Sequence, residues 1–62
     1  MEYKKAIKTL RIKMCLTQED LGKMLGVSFV TVCRWESGKY EPTMKLKYKL
    51  KPYFSEYKIE VN

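Results

Sequence analysis

The middle of this 62-residue chain contains two residues that favour the start of a helix. A glycine follows each of them at the distance of one short helix. Thr17 is a favoured N-cap residue, and Asp20 three residues on gives a variant of the capping box. Gly26 can take the left-handed conformation that ends such a helix without steric cost. Ser28 and Gly38 repeat the same start and stop. The pattern predicts two short helices joined by a tight turn.

An amphipathic helix precedes this pair. Its apolar residues recur at the spacing of one helix face, which indicates that they pack on a common core. In the two short helices, Leu21, Met24 and Leu25 form one buried stripe, and Val32 and Trp35 point back into the core at i and i+3. The residues of the first helix face are Tyr3, Ala6, Ile7, Leu10 and Met14.

The segment after Pro42 fits two patterns, because its apolar residues alternate with lysines as in a strand and also align on one side of a helix. A lone strand would have no partner in an otherwise helical chain. Pro52 lacks a backbone N–H and clashes with the preceding turn of a helix. We therefore predict a helix over roughly residues 43–51, a break, and a second short helix that Pro52 opens. Residues 57–62 alternate again and fit an extended tail.

The formal net charge of +6 favours a polyanionic partner, either nucleic acid or an anionic membrane surface. A lysine-rich coat without such a partner is the plainer alternative. No apolar run approaches the length of a membrane span. Charges are scattered through the N-terminal residues, which argues against a signal peptide. We therefore expect a cytoplasmic protein with no membrane partner.

Metal and enzyme chemistry have little support in the composition. The chain has no histidine, and its two cysteines, Cys15 and Cys33, form no C-x-x-C pair, so we expect neither a metal nor another cofactor. One disulfide is possible, but two reduced thiols fit a chain without an export signal better. The sequence also lacks a paired-carboxylate cleft and a phosphate loop, so we expect no enzymatic activity.

Two short helices joined by a turn with one glycine form the helix-turn-helix plan, here at about residues 17–37. The stretch LTQEDLGKMLGVSFVTVCRWESGKYEP resembles the Cro/CI-type, lambda-repressor-like (XRE) helix-turn-helix family. The resemblance covers about residues 10–42. It implies an all-α, compact, four- to five-helix lambda-repressor-like DNA-binding domain, which we expect to occupy residues 1–62 as a single domain. It also implies binding to double-stranded operator DNA, usually as a homodimer.

The resemblance assigns roles to individual positions. Gln18 matches a glutamine that contacts phosphate and sometimes bases, while Thr31 and Lys39 match contacts to the DNA backbone. Arg11 and Glu36 match an internal ion pair that ties the first helix to the third. The residues that the resemblance places at the DNA are Gln18, Ser28, Phe29, Val30, Thr31, Arg34 and Lys39.

The chemistry of the outward side chains agrees with these roles. Arg34 can bond a guanine bidentately through O6 and N7, which gives on the order of 1–3 kcal/mol of discrimination. We expect Val30 to face outward, where it can pack on a thymine methyl group. Phe29 lies on the flank, and the sequence leaves open whether it packs partly in the core or contacts DNA. The alternative to these DNA contacts is that Arg34 is an ordinary solvated arginine and that Gln18 is only a polar residue in the first turn of its helix.

The chain departs from the family pattern at two positions. The family often has glycine where Cys15 stands, and we expect the turn after the first helix to be built differently, because cysteine disfavours the left-handed conformation. The family's alanine is Gly22 here, which permits close helix packing but weakens the helix by roughly 1 kcal/mol relative to Ala.

These observations favour a sequence-specific DNA-binding transcriptional regulator, a small repressor that binds a two-fold operator as a homodimer through the major groove. The alternative is an antitoxin or another helix-turn-helix module that binds DNA and also a protein partner. The aromatic C-terminal residues could form the partner surface, the dimer interface or only core. These residues are Tyr48, Tyr53, Phe54 and Tyr57.

Overall fold

The computed structural model describes residues 3–61 and contains four α-helices within that range. Helix α1 spans Tyr3–Lys13, α2 spans Gln18–Leu25, α3 spans Phe29–Ser37 and α4 spans Met44–Glu56. No strand occurs in the same range. The all-α class is therefore confirmed, together with the three helices predicted before Pro42.

The N-terminal ends of α2 and α3 are fixed by the predicted capping residues. Thr17 Oγ1 accepts a hydrogen bond from the Asp20 backbone N–H at 3.0 Å, and Asp20 Oδ2 accepts one from the Thr17 N–H at 3.2 Å. The reciprocal pair completes the capping box. The Thr17 N–H, with its hydroxyl, holds the pKa of the Asp20 carboxyl below its ordinary value. At α3, Ser28 Oγ accepts from the Thr31 N–H at 3.3 Å.

A residue with a positive φ follows the C-terminal end of each of the four helices. These residues are Cys15, Gly26, Gly38 and Lys58. The φ of Cys15 is 58°, and the Cys15 and Leu16 N–H groups bond back to the carbonyls of Ile12 and Arg11 at 3.0 Å each. This is the Schellman arrangement. The expectation that this turn is built differently is therefore wrong. Its two backbone hydrogen bonds, with Leu16 packed against the core, offset the left-handed cost of about 1–2 kcal/mol.

All four helices contribute to one hydrophobic core. The aromatic rings of Tyr3 in α1 and Phe54 in α4 pack with centroids 6.3 Å apart, which closes the core at one end. Trp35 is buried in the core, as predicted. The buried apolar side chains are Ala6, Ile7, Leu10, Leu21, Leu25, Val32, Trp35, Leu50 and Phe54.

Helix α4 runs through Pro52 without the predicted break, so the two-helix prediction for this segment is wrong. Leu50 and Phe54 are both buried and lie one turn apart on the same face. A continuous helix keeps both in the core, whereas a break at Pro52 would displace one of them. The carbonyl of Tyr48 loses its intrahelical donor, but Tyr48 is exposed, so water can reach this carbonyl.

Two lysines of α4 fasten it to neighbouring segments. Lys47 Nζ lies 3.5 Å from Glu41 Oε1 and 4.9 Å from the centroid of the Tyr3 ring. Lys49 Nζ donates to the Leu25 carbonyl at the C-terminal end of α2, at 3.3 Å. A positive charge is favourable at that end of a helix dipole. These contacts position α4 on the side of α1 and α2, and the outward surface of α3 remains uncovered.

Candidate nucleic-acid interface

The turn between α2 and α3 is tight because of Gly22 and Gly26. Gly26 has φ 79°, and the Val27 N–H bonds to the Gly22 carbonyl at 2.8 Å. A β-carbon on Gly22 would lie 2.7 Å from the Val27 oxygen and 3.3 Å from the Ser28 oxygen. Such a distance is too short for an unshifted backbone. Glycine at this position therefore determines how closely the start of α3 approaches α2.

Helix α3 has one buried and one open face. Val32 and Trp35 are buried against the core, while Val30 and Arg34 are exposed. Val30 is 43% exposed, as expected for an outward residue. Phe29, whose position the sequence left open, is 52% exposed. The open face therefore presents two apolar side chains at its N-terminal turn and an arginine one turn later.

The hydroxyl groups at the start of α3 already have partners in the protein. Ser28 Oγ caps the helix, and it also lies 3.2 Å from Thr31 Oγ1. Ser28 is exposed and Thr31 is half-buried. Since a hydroxyl can donate one hydrogen bond and accept others, each retains capacity for a further partner.

A network of polar side chains ties α1, α2 and α3 together. Arg11 Nε donates to Glu36 Oε2 at 2.7 Å, and a second guanidinium nitrogen donates to Glu36 Oε1 at 3.2 Å. A third nitrogen donates to the Leu16 carbonyl at 3.1 Å. The hydrogen bond to Glu36 raises the pKa of Arg11 above its ordinary value. The structure thus brings together the two residues expected to pair.

Gln18 belongs to the same network. Its Nε2 donates to Glu36 Oε1 at 3.2 Å, and its Oε1 accepts from Cys33 Sγ at 3.0 Å. A carboxamide has two N–H donors, so one remains after the bond to Glu36. Gln18 is therefore held by side chains of α3 within the protein itself. Sequence reasoning did not anticipate this role, because it depends on contacts between distant residues.

A shallow depression on the open face of α3 contains the two basic residues that the sequence places at the site, Arg34 and Lys39. Val30, Arg34 and Lys39 line it together with Tyr40, which sequence reasoning did not single out. Arg34 Cζ lies 5.4 Å from the centroid of the Tyr40 ring. Tyr40 and Lys39 follow directly after the Gly38 turn. The sequence signal for Tyr40 was its position shortly after the helix-ending Gly38 and six residues beyond the outward Arg34.

The described residues contain no group of cysteine and acidic side chains that could hold a metal ion. Cys15 and Cys33 are both free thiols. Across residues 3–61, no helix combines the length and apolar character needed to cross a membrane. The open face of α3 and the loop after it present exposed apolar, aromatic and basic side chains. We call this candidate site the α3 face: Phe29, Val30, Arg34, Lys39 and Tyr40.

Comparison with known proteins gives consistent results. A family model described as helix-turn-helix matches residues 7–50. The chain is 47% identical over 51 residues to an uncharacterized HTH-type transcriptional regulator of Methanocaldococcus jannaschii, a match that covers 82% of this chain and 77% of that protein. It is 46% identical over 49 residues to an uncharacterized HTH-type transcriptional regulator of Archaeoglobus fulgidus, with 79% and 69% covered.

A further relative is the HTH-type transcriptional activator BcrR of Enterococcus faecalis, which is 38% identical over 55 residues. The match covers 89% of this chain but 27% of that activator, so the similarity concerns one part of a longer protein. No solved structure matches the chain significantly.

Proposed function

This chain belongs to the helix-turn-helix family of transcriptional regulators, and we propose that it binds a specific operator sequence in double-stranded DNA as a small repressor. One observation carries the proposal. Helix α3 buries Val32 and Trp35 but leaves Phe29, Val30 and Arg34 exposed at its first two turns. A major groove admits a helix whose N-terminal residues reach the base edges.

The α3 face combines two ways of reading bases. Arg34 makes no salt bridge within residues 3–61, so its N–H donors are free for a guanine. Val30 and Phe29 are apolar and exposed, and such side chains pack on thymine methyl groups. The expected recognition site therefore contains a guanine beside one or more thymines in each half.

The polar residues around α3 fit contacts to the DNA backbone. Lys39 is exposed beside Arg34, and the hydroxyls of Ser28 and Thr31 retain bonding capacity at the helix start. Gln18 keeps one N–H donor while Glu36 holds its side chain in place. Contacts of this kind position a protein on the duplex without specifying sequence. The formal net charge of +6 strengthens all of them electrostatically.

The regulatory mechanism we propose is steric. Two copies of the chain bind a two-fold operator, with half-sites about 34–36 Å apart, and block polymerase. Met44 and Tyr48 lie one turn apart on α4 and are 64% and 68% exposed, which makes them candidates for the contact between the two copies. A second copy is the partner that a two-fold operator requires.

A module that binds another protein, such as an antitoxin, is the second candidate, and the same exposed pair on α4 favours it. Sedimentation of the purified chain distinguishes the two. A homodimer that Tyr48→Glu converts to a monomer supports the repressor, whereas a wild-type chain that stays monomeric on DNA supports a module for another partner.

Reporter transcription from the operator, with and without the protein, decides between repression and the activation named for the enterococcal relative.

The experiment that tests DNA recognition is selection of bound duplexes from a random DNA pool at physiological salt, followed by sequencing. We expect a two-fold motif with a guanine and adjacent thymines in each half. Absence of any enriched motif would contradict sequence-specific recognition and would leave only non-specific attraction to the phosphates.

A further inference from the structure

The loop after α3 places an aromatic ring against the outward arginine. Arg34 Cζ stands over the Tyr40 ring, 5.4 Å from its centroid. Tyr40 is 58% exposed, and Arg34 is exposed as well. A guanidinium within about 6 Å of a ring centroid is attracted to the ring face. The contact therefore forms at the protein surface, before any DNA is present.

The backbone on both sides of Tyr40 is fixed. On one side the Lys39 N–H and the Ser37 hydroxyl both bond to the Arg34 carbonyl, at 3.2 and 2.9 Å. On the other side Pro42 is buried. Tyr40 thus lies between two anchored points, and its ring lies beside the Arg34 side chain without support from a ligand.

The contact leaves the bonding edge of Arg34 open. Within residues 3–61 the two neighbouring carboxylates are engaged elsewhere, Glu36 by Arg11 and Glu41 by Lys47. The ring attracts the guanidinium electrostatically, and the Arg34 side-chain N–H groups take part in no hydrogen bond or salt bridge within residues 3–61. The donors that would bind guanine O6 and N7 therefore remain available.

We propose that Tyr40 is a positioning residue that holds Arg34 in the orientation from which it reads a base. This inference rests on the proposed function. An arginine loses rotamer freedom when it binds a base, and the ring contact removes part of that freedom beforehand. A surface contact of this type corresponds to about a two- to fivefold gain in the preference for the correct base.

The test uses two operators: the selected one, and one changed at the base pair that the Arg34→Ala variant no longer discriminates. For each protein we measure the ratio of the Kd for the changed operator to the Kd for the selected one. Tyr40→Phe keeps the ring and is expected to keep the wild-type ratio. Tyr40→Leu keeps apolar bulk without a ring, and Tyr40→Ala removes both. We expect each of these two to lower the ratio about two- to fivefold, while Kd for the changed operator stays constant.

The same substitution in an Arg34→Ala background completes a double-mutant cycle. Tyr40→Ala is then expected to have no further effect, since the side chain that it positions is absent. Additive losses, or full discrimination by Tyr40→Ala alone, would overturn the inference while leaving the proposed function standing. A wild-type protein that discriminates no base at all would overturn the proposed function and this inference with it.

Discussion

Arg11 in α1 and Glu36 in α3 form a two-pronged ion pair, with the Arg11 Nε to Glu36 Oε2 distance at 2.7 Å. The Glu36 side chain is only 8% exposed, and Gln18 donates to the same carboxylate. The pair therefore sets the position of α3 relative to the two helices before it. It also fixes the residue that we expect to contact phosphate.

Loss of the Arg11–Glu36 ion pair should lower the free energy of unfolding far more than loss of a more exposed ion pair. Arg11→Ala leaves the nearly buried Glu36 carboxylate without its main partner, and we expect the free energy of unfolding to fall by about 2–3 kcal/mol. Glu41→Gln, which breaks the more exposed pair with Lys47, is the control and should cost less than about 0.5 kcal/mol. Urea unfolding measures both. Equal losses in the two variants would contradict the structural role of Arg11.

Cys15→Gly should stabilise the protein. Cys15 has φ 58° and is exposed, so glycine relieves the left-handed strain and loses little packing. After the added entropy of glycine in the unfolded chain, we expect a gain of about 0.5–1 kcal/mol. The matched control, Cys15→Ala, keeps a β-carbon and should bring no gain. Thermal and urea unfolding of the three proteins test this, and a gain shared by the alanine variant would count against it.

Gly22→Ala should destabilise the protein, although alanine is the better helix former and is the residue expected from the family pattern. The added β-carbon would lie 2.7 Å from the Val27 oxygen, a backbone atom that cannot rotate away. Overpacking costs about 1–3 kcal/mol against a propensity gain of about 1 kcal/mol. We expect a net loss of about 1 kcal/mol in urea unfolding, with weaker operator binding because α3 must shift. A more stable Gly22→Ala protein would show that the turn relaxes freely.

Acid should weaken the cap of α2 in a predictable pH range. The folded pKa of Asp20 lies below its ordinary value of about 3.8, because the Thr17 N–H binds the charged form. The stabilisation is therefore complete above that ordinary value and is lost as the pH falls through the folded pKa. Asp20→Asn should flatten the stability profile there. Urea unfolding of the wild type and Asp20→Asn from pH 7 to acid pH measures this, and identical profiles would contradict it.

Local patterns were sufficient to predict the first three helices. The capping residues Thr17 and Ser28 each accept a hydrogen bond from the backbone N–H three positions later, so their partners can be identified in the sequence. The buried positions of Val32 and Trp35 follow from helical spacing in the same way. The outward positions of Val30 and Arg34 follow as well, since they occupy the opposite side of the wheel.

The features that sequence reasoning missed depend on contacts between distant residues or on competition between local and global terms. Pro52 disfavours a helix locally, but the burial of Leu50 and Phe54 keeps α4 continuous. Backbone bonds hold Cys15 in a conformation that its side chain disfavours. The bonds of Gln18 to α3 join residues far apart in sequence, and no local pattern predicts them.

Base reading by Arg34 on the α3 face is tested most directly by repeating the random-pool selection with Arg34→Ala beside the wild type. We predict that the variant's motif loses one guanine in each half-site and keeps every other position. Lys39→Ala, a backbone contact by our account, is the control and should weaken binding uniformly while preserving the motif. An Arg34→Ala motif identical to that of the wild type would contradict the claim.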